Sequence, residues 1–334
     1  MQFTKQIVKI IGSFLFFFPF FVKGQNPLFR QLYTHRYLTN PSMVGMGSLE
    51  GISVNRIASG TKAQWLSIDS RLVTQSFSFD APVKDNNSSW GAGLFLTDLH
   101  SGSGEQSKYS HFSGSLNYAY NILLKKINLR FGLSAQYSSL SFGVDQFQWE
   151  DQINANLTGF VNPTLEPLQK QTKNVFHAAA GTLAYNQKGF IGFSVFNVNE
   201  PNISFFEGQK QTLSRKYFVH GGLALKNVFK HAVLIPNASY SIQGEVSAAQ
   251  FNTNVKMENL QVGIGVQNVK GYGKSAWALT NYLGFRYDKY FVGYSNDWNL
   301  SFNLGSIPVT HEISIVVLLN RKTSTATVSS LPEI

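Results

Sequence analysis

The chain has 334 residues, no cysteine and a formal net charge of +10; 14% of its residues are charged and another 14% are Phe, Trp or Tyr. The missing cysteines exclude disulfides, thiolate metal sites and cysteine nucleophiles, and a hydrophobic content of 43% argues against a disordered chain. Soluble domains carry roughly a quarter of charged residues, so few charges with many aromatics point to a surface that faces lipid.

In chain order, Lys5 and Lys9 precede an apolar run over 10–22, and Val22-Lys23-Gly24 offers a cleavage site. Residues 1–24 are therefore predicted to be a secretory signal peptide, because a helical span needs about twenty apolar residues. Its removal, with Lys5, Lys9 and Lys23, lowers the balance from +10 to +7. No later apolar run approaches the length of a span, so any membrane crossing falls to strands. Nucleic acid is not an expected partner, since Lys and Arg are scattered among strand ends and turns instead of gathered on a helix or in a run. Lipid phosphates and acidic surface sugars suit the positive charge better.

Residues 25–50 do not read as strand. Pro27, Pro41 and Gly45 punctuate turns with room for one short helical turn between them. The segment is expected to pack on or inside whatever follows, as a periplasmic or luminal element.

From 51 to 320 the sequence carries about fourteen strand-like runs bounded by turn residues. The clearest lies at 126–137. Ile127, Leu129, Phe131, Leu133, Ala135 and Tyr137 fall on one side of an extended strand, and Lys126, Asn128, Arg130, Gly132, Ser134 and Gln136 on the other. Such a length is close to what a tilted strand needs to cross a bilayer. Similar alternation sets Phe112, Leu116, Tyr118 and Tyr120 against His111, Ser113, Ser115 and Asn117, and Ile313, Ile315, Val317 and Leu319 against Glu312 and Ser314. It is poor from Ala232 onward, where Pro236 also removes a ladder donor.

The links between runs alternate in length. Short ones are expected at 82–88, 125, 187–188, 227–230, 258–259 and 288–289, and longer ones at 100–108, 143–173, 199–215, 269–274 and 297–310. Transmembrane barrels have short periplasmic turns and longer outer loops. The predicted fold is an all-β, transmembrane antiparallel β-barrel of about fourteen strands, outer-membrane type, spanning 51–320, with both chain ends and a polar tail at 321–334 in the periplasm. An exported β-sandwich shares the alternation. Run length, the ordered links and aromatics near strand ends (Trp90, Tyr109, Tyr120, Trp277, Tyr287, Tyr290) favour the membrane.

No catalytic, metal or cofactor motif emerges. His311-Glu312 lacks the second histidine of a zinc-protease helix and lies in an alternating strand; Gly91-Ala92-Gly93 and Gly263-Ile264-Gly265 are strand glycines without a phosphate loop. Ser, His and Asp from separate strands can meet in space, and nothing in the sequence places them together. The better candidates are polar residues on the inward side: Arg130, His220, Lys256, Arg286 and Glu312. They read either as the lining of a selective pore or docking surface, or as a hydrogen-bonded filling of the barrel. The long link at 143–173 interleaves Phe147, Trp149 and Phe160 with Glu150 and Asp151, which suits an outer contact surface for a partner or a lid over the lumen.

One stretch carries a family likeness. Gln25-Asn26-Pro27-Leu28-Phe29-Arg30-Gln31-Leu32-Tyr33, followed by Tyr37-Leu38-Thr39-Asn40-Pro41-Ser42-Met43-Val44-Gly45, resembles the mature N-terminus of the PorP/SprF family, outer-membrane proteins of the type IX secretion system in Bacteroidetes. Gln75-Ser76-Phe77-Ser78-Phe79-Asp80-Ala81-Pro82, Gly91-Ala92-Gly93-Leu94, Ser115-Leu116-Asn117-Tyr118-Ala119-Tyr120, Phe131-Gly132-Leu133-Ser134-Ala135 and Thr310-His311-Glu312-Ile313 follow in family order. The resemblance implies a non-enzymatic barrel that helps specific large secreted proteins, such as gliding adhesins, across or onto the outer membrane. Its expected partners are a client with a C-terminal secretion domain, other secretion-system components in the periplasm or outer membrane, and outer-membrane lipid. The last strand departs from the pattern, ending Val317-Leu318-Leu319-Asn320 without a terminal aromatic. From the residues alone, a passive channel for small or apolar solutes stays open as the alternative.

Overall fold

The structure, a computed structural model, describes residues 29–46, 48–49, 52–64, 66, 70–83, 88–101, 109–143, 171–206, 208–229, 231–301 and 309–319. The expected signal peptide, the expected tail, Asn26, Pro27 and the loop residues Phe147, Trp149, Glu150, Asp151 and Phe160 lie outside the described residues.

A single helical turn, α1 (Arg36–Thr39), and a 3-10 turn at Pro41–Met43 form the N-terminal segment. Next come β1 (Ser48–Leu49) and β2 (Ile52–Ser53), which pair with each other. The wall consists of β3 (Asn55–Gln64), β4 (Ser70–Pro82), β5 (Ser88–Ser101), β6 (Tyr109–Leu123), β7 (Asn128–Phe142), β8 (Gln171–Tyr185), β9 (Gly189–Phe196), β10 (Lys216–Leu223), β11 (Leu225–Phe229), β12 (Ala232–Gln243), β13 (Val246–Met257), β14 (Leu260–Gly271), β15 (Lys274–Tyr287), β16 (Tyr290–Asn299) and β17 (Val309–Leu319). Each pairs antiparallel with its sequence neighbour, β17 returns to β3, and β10 and β11 both pair with β12 as two parts of one strand. The result is a closed barrel of 14 strands.

The alternation is inside out relative to a soluble protein. Leu116, Leu133, Phe176 and Ile191 are 68%, 65%, 74% and 62% exposed, while Arg130, Gln136, Ser138, Glu312 and Ser314 on the opposite faces are buried. Greasy side chains toward solvent and a polar interior are the signature of a wall whose surroundings are hydrocarbon. Trp90, Tyr120, Trp277, Tyr287 and Tyr290 are exposed near strand ends, as expected of an aromatic girdle. Tyr109 differs: it shares the inward parity of His111 and packs beside Leu140 and Val175.

Two sequence expectations need correction. The link at 269–274 is not long: β14 runs to Gly271 and β15 starts at Lys274, joined by Tyr272-Gly273 with φ of 49° and 74°. Two consecutive positive φ values are a hairpin turn of the primed kind, which a run of Lys, Gly and Tyr disguised as loop. The first run, expected from the sequence near 52–58, instead starts as a wall strand at Asn55 and continues to Gln64, because Ser59 and Thr61 on its exposed face hide the period that marks the other strands.

Pro236 leaves a visible mark. The β10–β12 register ends at Gly222↔Asn237 and the β11–β12 register resumes in phase at Leu225↔Leu234. The gap falls where Leu223 faces Pro236, a residue with no N–H to give, while on the other side the Ala224 N–H carries the β9 ladder on to the Lys188 carbonyl at 2.8 Å.

Candidate functional site

The inside of the barrel is occupied by the chain's own residues 29–46. Their backbone has no regular ladder to satisfy it, so the wall supplies partners. Glu312 on β17 accepts the N–H groups of Arg30 (2.8 Å) and Gln31 (2.9 Å), and Arg30 Nε donates to Asp297 on β16 at 2.6 Å. Gln250 on β13 donates to the Arg30 carbonyl at 3.3 Å. Arg56 on β3 donates to the Thr34 carbonyl and to Asp80 on β4 (3.0 Å), whose other oxygen accepts the Gly45 N–H at 2.8 Å. Ser76 Oγ lies 2.6 Å from His35 Nδ1, and the Tyr37 hydroxyl donates to the Leu94 carbonyl of β5 at 2.7 Å. Arg130 on β7 donates through Nε to the Ser42 carbonyl (2.6 Å) and through Nη2 to that of Val44 (2.5 Å).

Asn40 is the hub on the far side. Its Nδ2 lies 3.0 Å from the Thr182 carbonyl of β8, 3.3 Å from that of Phe193 on β9 and 3.1 Å from His220 Nε2 on β10. Its Oδ1 accepts the Ser42 N–H at 3.0 Å and so caps the 3-10 turn. Ser194 on β9 donates to the Thr39 carbonyl at 2.8 Å. Apolar side chains complete the fit, with Met43 and Met46 against Leu183, Tyr185 and Phe190, and Tyr37 and Val44 against Phe95 and Ala119.

Glycines on the wall admit the segment so closely. A Cβ at Gly132 would overlap the Ser42 N and the Pro41 carbonyl carbon, and one at Gly93 would sit 2.6 Å from the Tyr37 ring. Gly91-Ala92-Gly93 is therefore a flattened patch of wall and has no part in phosphate binding.

The opposite mouth carries a second closure. The β9–β10 link folds as a small hairpin, bridged at Asn202↔Thr212, and its Ile203 and Leu213 pack on Leu140 of β7 and Val175 of β8. Beneath it Ser138 Oγ lies 2.9 Å from His177 Nε2 and donates to Ser113 Oγ at 3.0 Å. Ser138 is only 1% exposed, so this contact knits β6, β7 and β8 and offers no open nucleophile.

Of the residues singled out from the sequence, Arg130, His220 and Glu312 all meet the N-terminal segment. Phe29, Gln31, Tyr33, Asn40, Pro41 and Gly45 of the N-terminal block belong to that segment. Lys256 and Arg286 lie half-buried at one end of β13 and β15, and among the described residues Arg286 Nε has no hydrogen-bond partner. Sequence reasoning missed Arg56, Asp80 and Asp297. Each has inward parity on its strand, which was a usable signal, but the pairing of Arg56 with Asp80 follows only from the β3–β4 register.

A closed wall of this kind, with a lipid-facing exterior and a filled interior, defines an outer-membrane β-barrel protein. Residues 21–317 match the family described as type IX secretion system membrane protein PorP/SprF, and the chain belongs to that family. No curated protein matches it. Among solved structures it is similar to a Pseudomonas aeruginosa FadL homologue (9% identity, TM-score 0.51, covering 84% of this chain and 93% of the other). It is also similar to the CymD monoaromatic hydrocarbon channel (10% identity, TM-score 0.52, covering 90% and 95%). At such identities the likeness is one of fold.

Proposed function

We propose that this barrel serves type IX secretion as a docking and anchoring partner for one or a few large secreted proteins, each bearing a C-terminal secretion domain, at the cell surface. Gliding adhesins are the client type that the family resemblance suggests. The observation that carries this reading is the filled lumen: residues 29–46 are tied to strands around the ring, from Arg56 on β3 to Glu312 on β17. A barrel committed to holding its own chain is built as a rigid platform more than as a conduit. The reading needs no catalysis, and family membership supports a non-enzymatic role. Deleting the gene is expected to remove a small set of large proteins from the surface proteome while general secretion continues; an unchanged surface proteome rejects the reading.

The passive channel keeps one supporting observation. Asn252, Asn254, Gln261 and Gln267, inward on β13 and β14, are only half-buried, so that part of the wall meets solvent. Planar-bilayer recordings separate the two: steady conductance from the purified native protein, reduced by Arg286→Ala, favours a channel.

A further inference from the structure

The wall is not of even height. β8 pairs with β9 from Tyr185↔Phe190 up to Ala179↔Phe196, where β9 stops, yet β8 continues to Gln171, paired there, among the described residues, with β7 alone. At about 3.3 Å per residue the extra stretch rises roughly 25 Å along the strand.

The first rung above β9 is filled by a side chain. Val198 N–H donates to the Ala178 carbonyl (3.0 Å), and the Asn199 amide then accepts the Ala178 N–H (3.2 Å) and donates to the Phe176 carbonyl (2.9 Å). Asn199 thus presents one acceptor and one donor to β8, as the backbone of a neighbouring strand would. Backbone groups two and four residues on point the same way. The N–H of Phe176 and both backbone groups of Asn174 and Thr172 therefore face sideways, and among the described residues nothing on that side pairs with them.

The pleat also shows where this edge stands. Below it the outward positions of β7 and β8 are apolar apart from Thr182, as at Leu133 and Ala135; the tilted rings of Tyr137 and Phe176 meet at 5.1 Å; above them the outward residues are Ser139, Ser141, Thr172 and Asn174. Meanwhile the inward face turns apolar, with Leu140 and Val175 under Ile203 and Leu213. The pattern of a membrane wall becomes that of a water-exposed sheet just past an aromatic pair, so the free edge lies in water at the membrane boundary.

We propose that the edge of β8 at Thr172, Asn174 and Phe176 receives one extended segment of the secreted client by backbone pairing. This rests on the docking role proposed above. Open edges are normally blunted by charge, proline or a bulge; here the single charge is Lys173, with the inward parity of Val175, and Thr172 and Asn174 on the outward side provide none of these. The segment that fits alternates apolar residues, turned toward Val175 and Leu213, with polar ones turned outward. A basic chain, +10 over the full sequence and +7 without residues 1–24, repels its own copy, which favours a foreign strand over self-pairing.

Because the chain has no cysteine, Asn174→Cys can carry a single thiol-linked benzophenone in whole cells. The expected product joins this position to the surface protein that disappears on gene deletion, with cross-linked sites confined to one short segment. A product made of two copies of this chain, or scattered sites, overturns the proposal. Independently, Asn174→Pro removes the donor without touching the β7 ladder, and surface display of that protein should fall at least about tenfold, the effect of roughly 1.4 kcal/mol. Asn174→Ala should leave display within a factor of about two, since it keeps the backbone donor. Boiling-dependent gel migration checks that both variants are folded. If both display the client like the native protein, pairing at this edge is wrong even though the docking role stands. If deletion itself removes no surface protein, the docking role fails and this proposal with it.

Discussion

At the scale of single residues, the N-terminal segment is held by a few buried polar groups that each serve several partners. Asn40 is the most demanding of them, because truncating it takes a second donor from the Thr182 and Phe193 carbonyls, leaves His220 Nε2 without its partner and uncaps the 3-10 turn. Asn40→Ala should destabilise the docked segment by about 1–3 kcal/mol, the cost of leaving buried groups unpaired. Faster proteolysis near residue 40 in the folded barrel would reveal it. His35 adds a dependence on acidity. Burial, with the Arg56 cation behind it, pushes its imidazole down to about 3. A group depressed on docking contributes stability that is present above its free value near 6.5 and is lost as pH falls toward 3. Acid should therefore loosen the segment progressively below about pH 6. In His35→Gln that part of the decline should vanish, so the proteolysis rates of the two proteins should converge between pH 7 and pH 4.

Between elements, contact depends on what the wall lacks as much as on what it carries. Gly132 faces the backbone of Ser42 and Pro41 with no room for a side chain. Gly132→Leu should leave the β6–β7–β8 ladders intact, since leucine suits a strand, but expel the 3-10 turn from its seat. The measurable outcome is a gain of single-channel conductance over a quiet native protein, with boiling-dependent gel migration retained. The interruption between β10 and β11 makes the converse case. Pro236→Val restores an N–H opposite Leu223 and a β-branched side chain, and should join the two halves. One recovered ladder bond contributes about 0.5–1.5 kcal/mol, to be read as a higher temperature for loss of the fast-migrating gel form.

For the molecule as a whole, the period-two signal made most of the wall legible from sequence, as on β6 and β7, where apolar and polar positions alternate along the strand. It was legible because lipid sorts side chains as strictly as a core does, with the sign reversed. Legibility failed where both faces are polar, as on β3, and where glycine sits in a strand instead of a loop, as at Gly271. The polar side of the strands pointed to Arg130, His220 and Glu312 as inward residues. Their common partner could not be read, because segment 29–46 has no period and its bonds go to residues far along the chain. The rise of β8 above β9 was hidden for the same reason: strand length is written in the sequence, but relative height is set by register. One expectation applies at this scale. The purified protein should need detergent to stay dispersed and should change gel mobility on boiling, because its exposed surface is largely Leu, Ile, Phe and Tyr.

The Arg30 N–H reaches Glu312 across 282 positions of sequence. The beginning of the polypeptide is thus fastened to the two strands made last, β16 and β17, at the seam where the ring shuts against β3. A partly finished cylinder has nowhere to house those early residues, and a finished one clasps them from within. Completion of the ring and seating of its filling are therefore one event, and a chain halted before β16 would leave its leading end loose for periplasmic proteases to find.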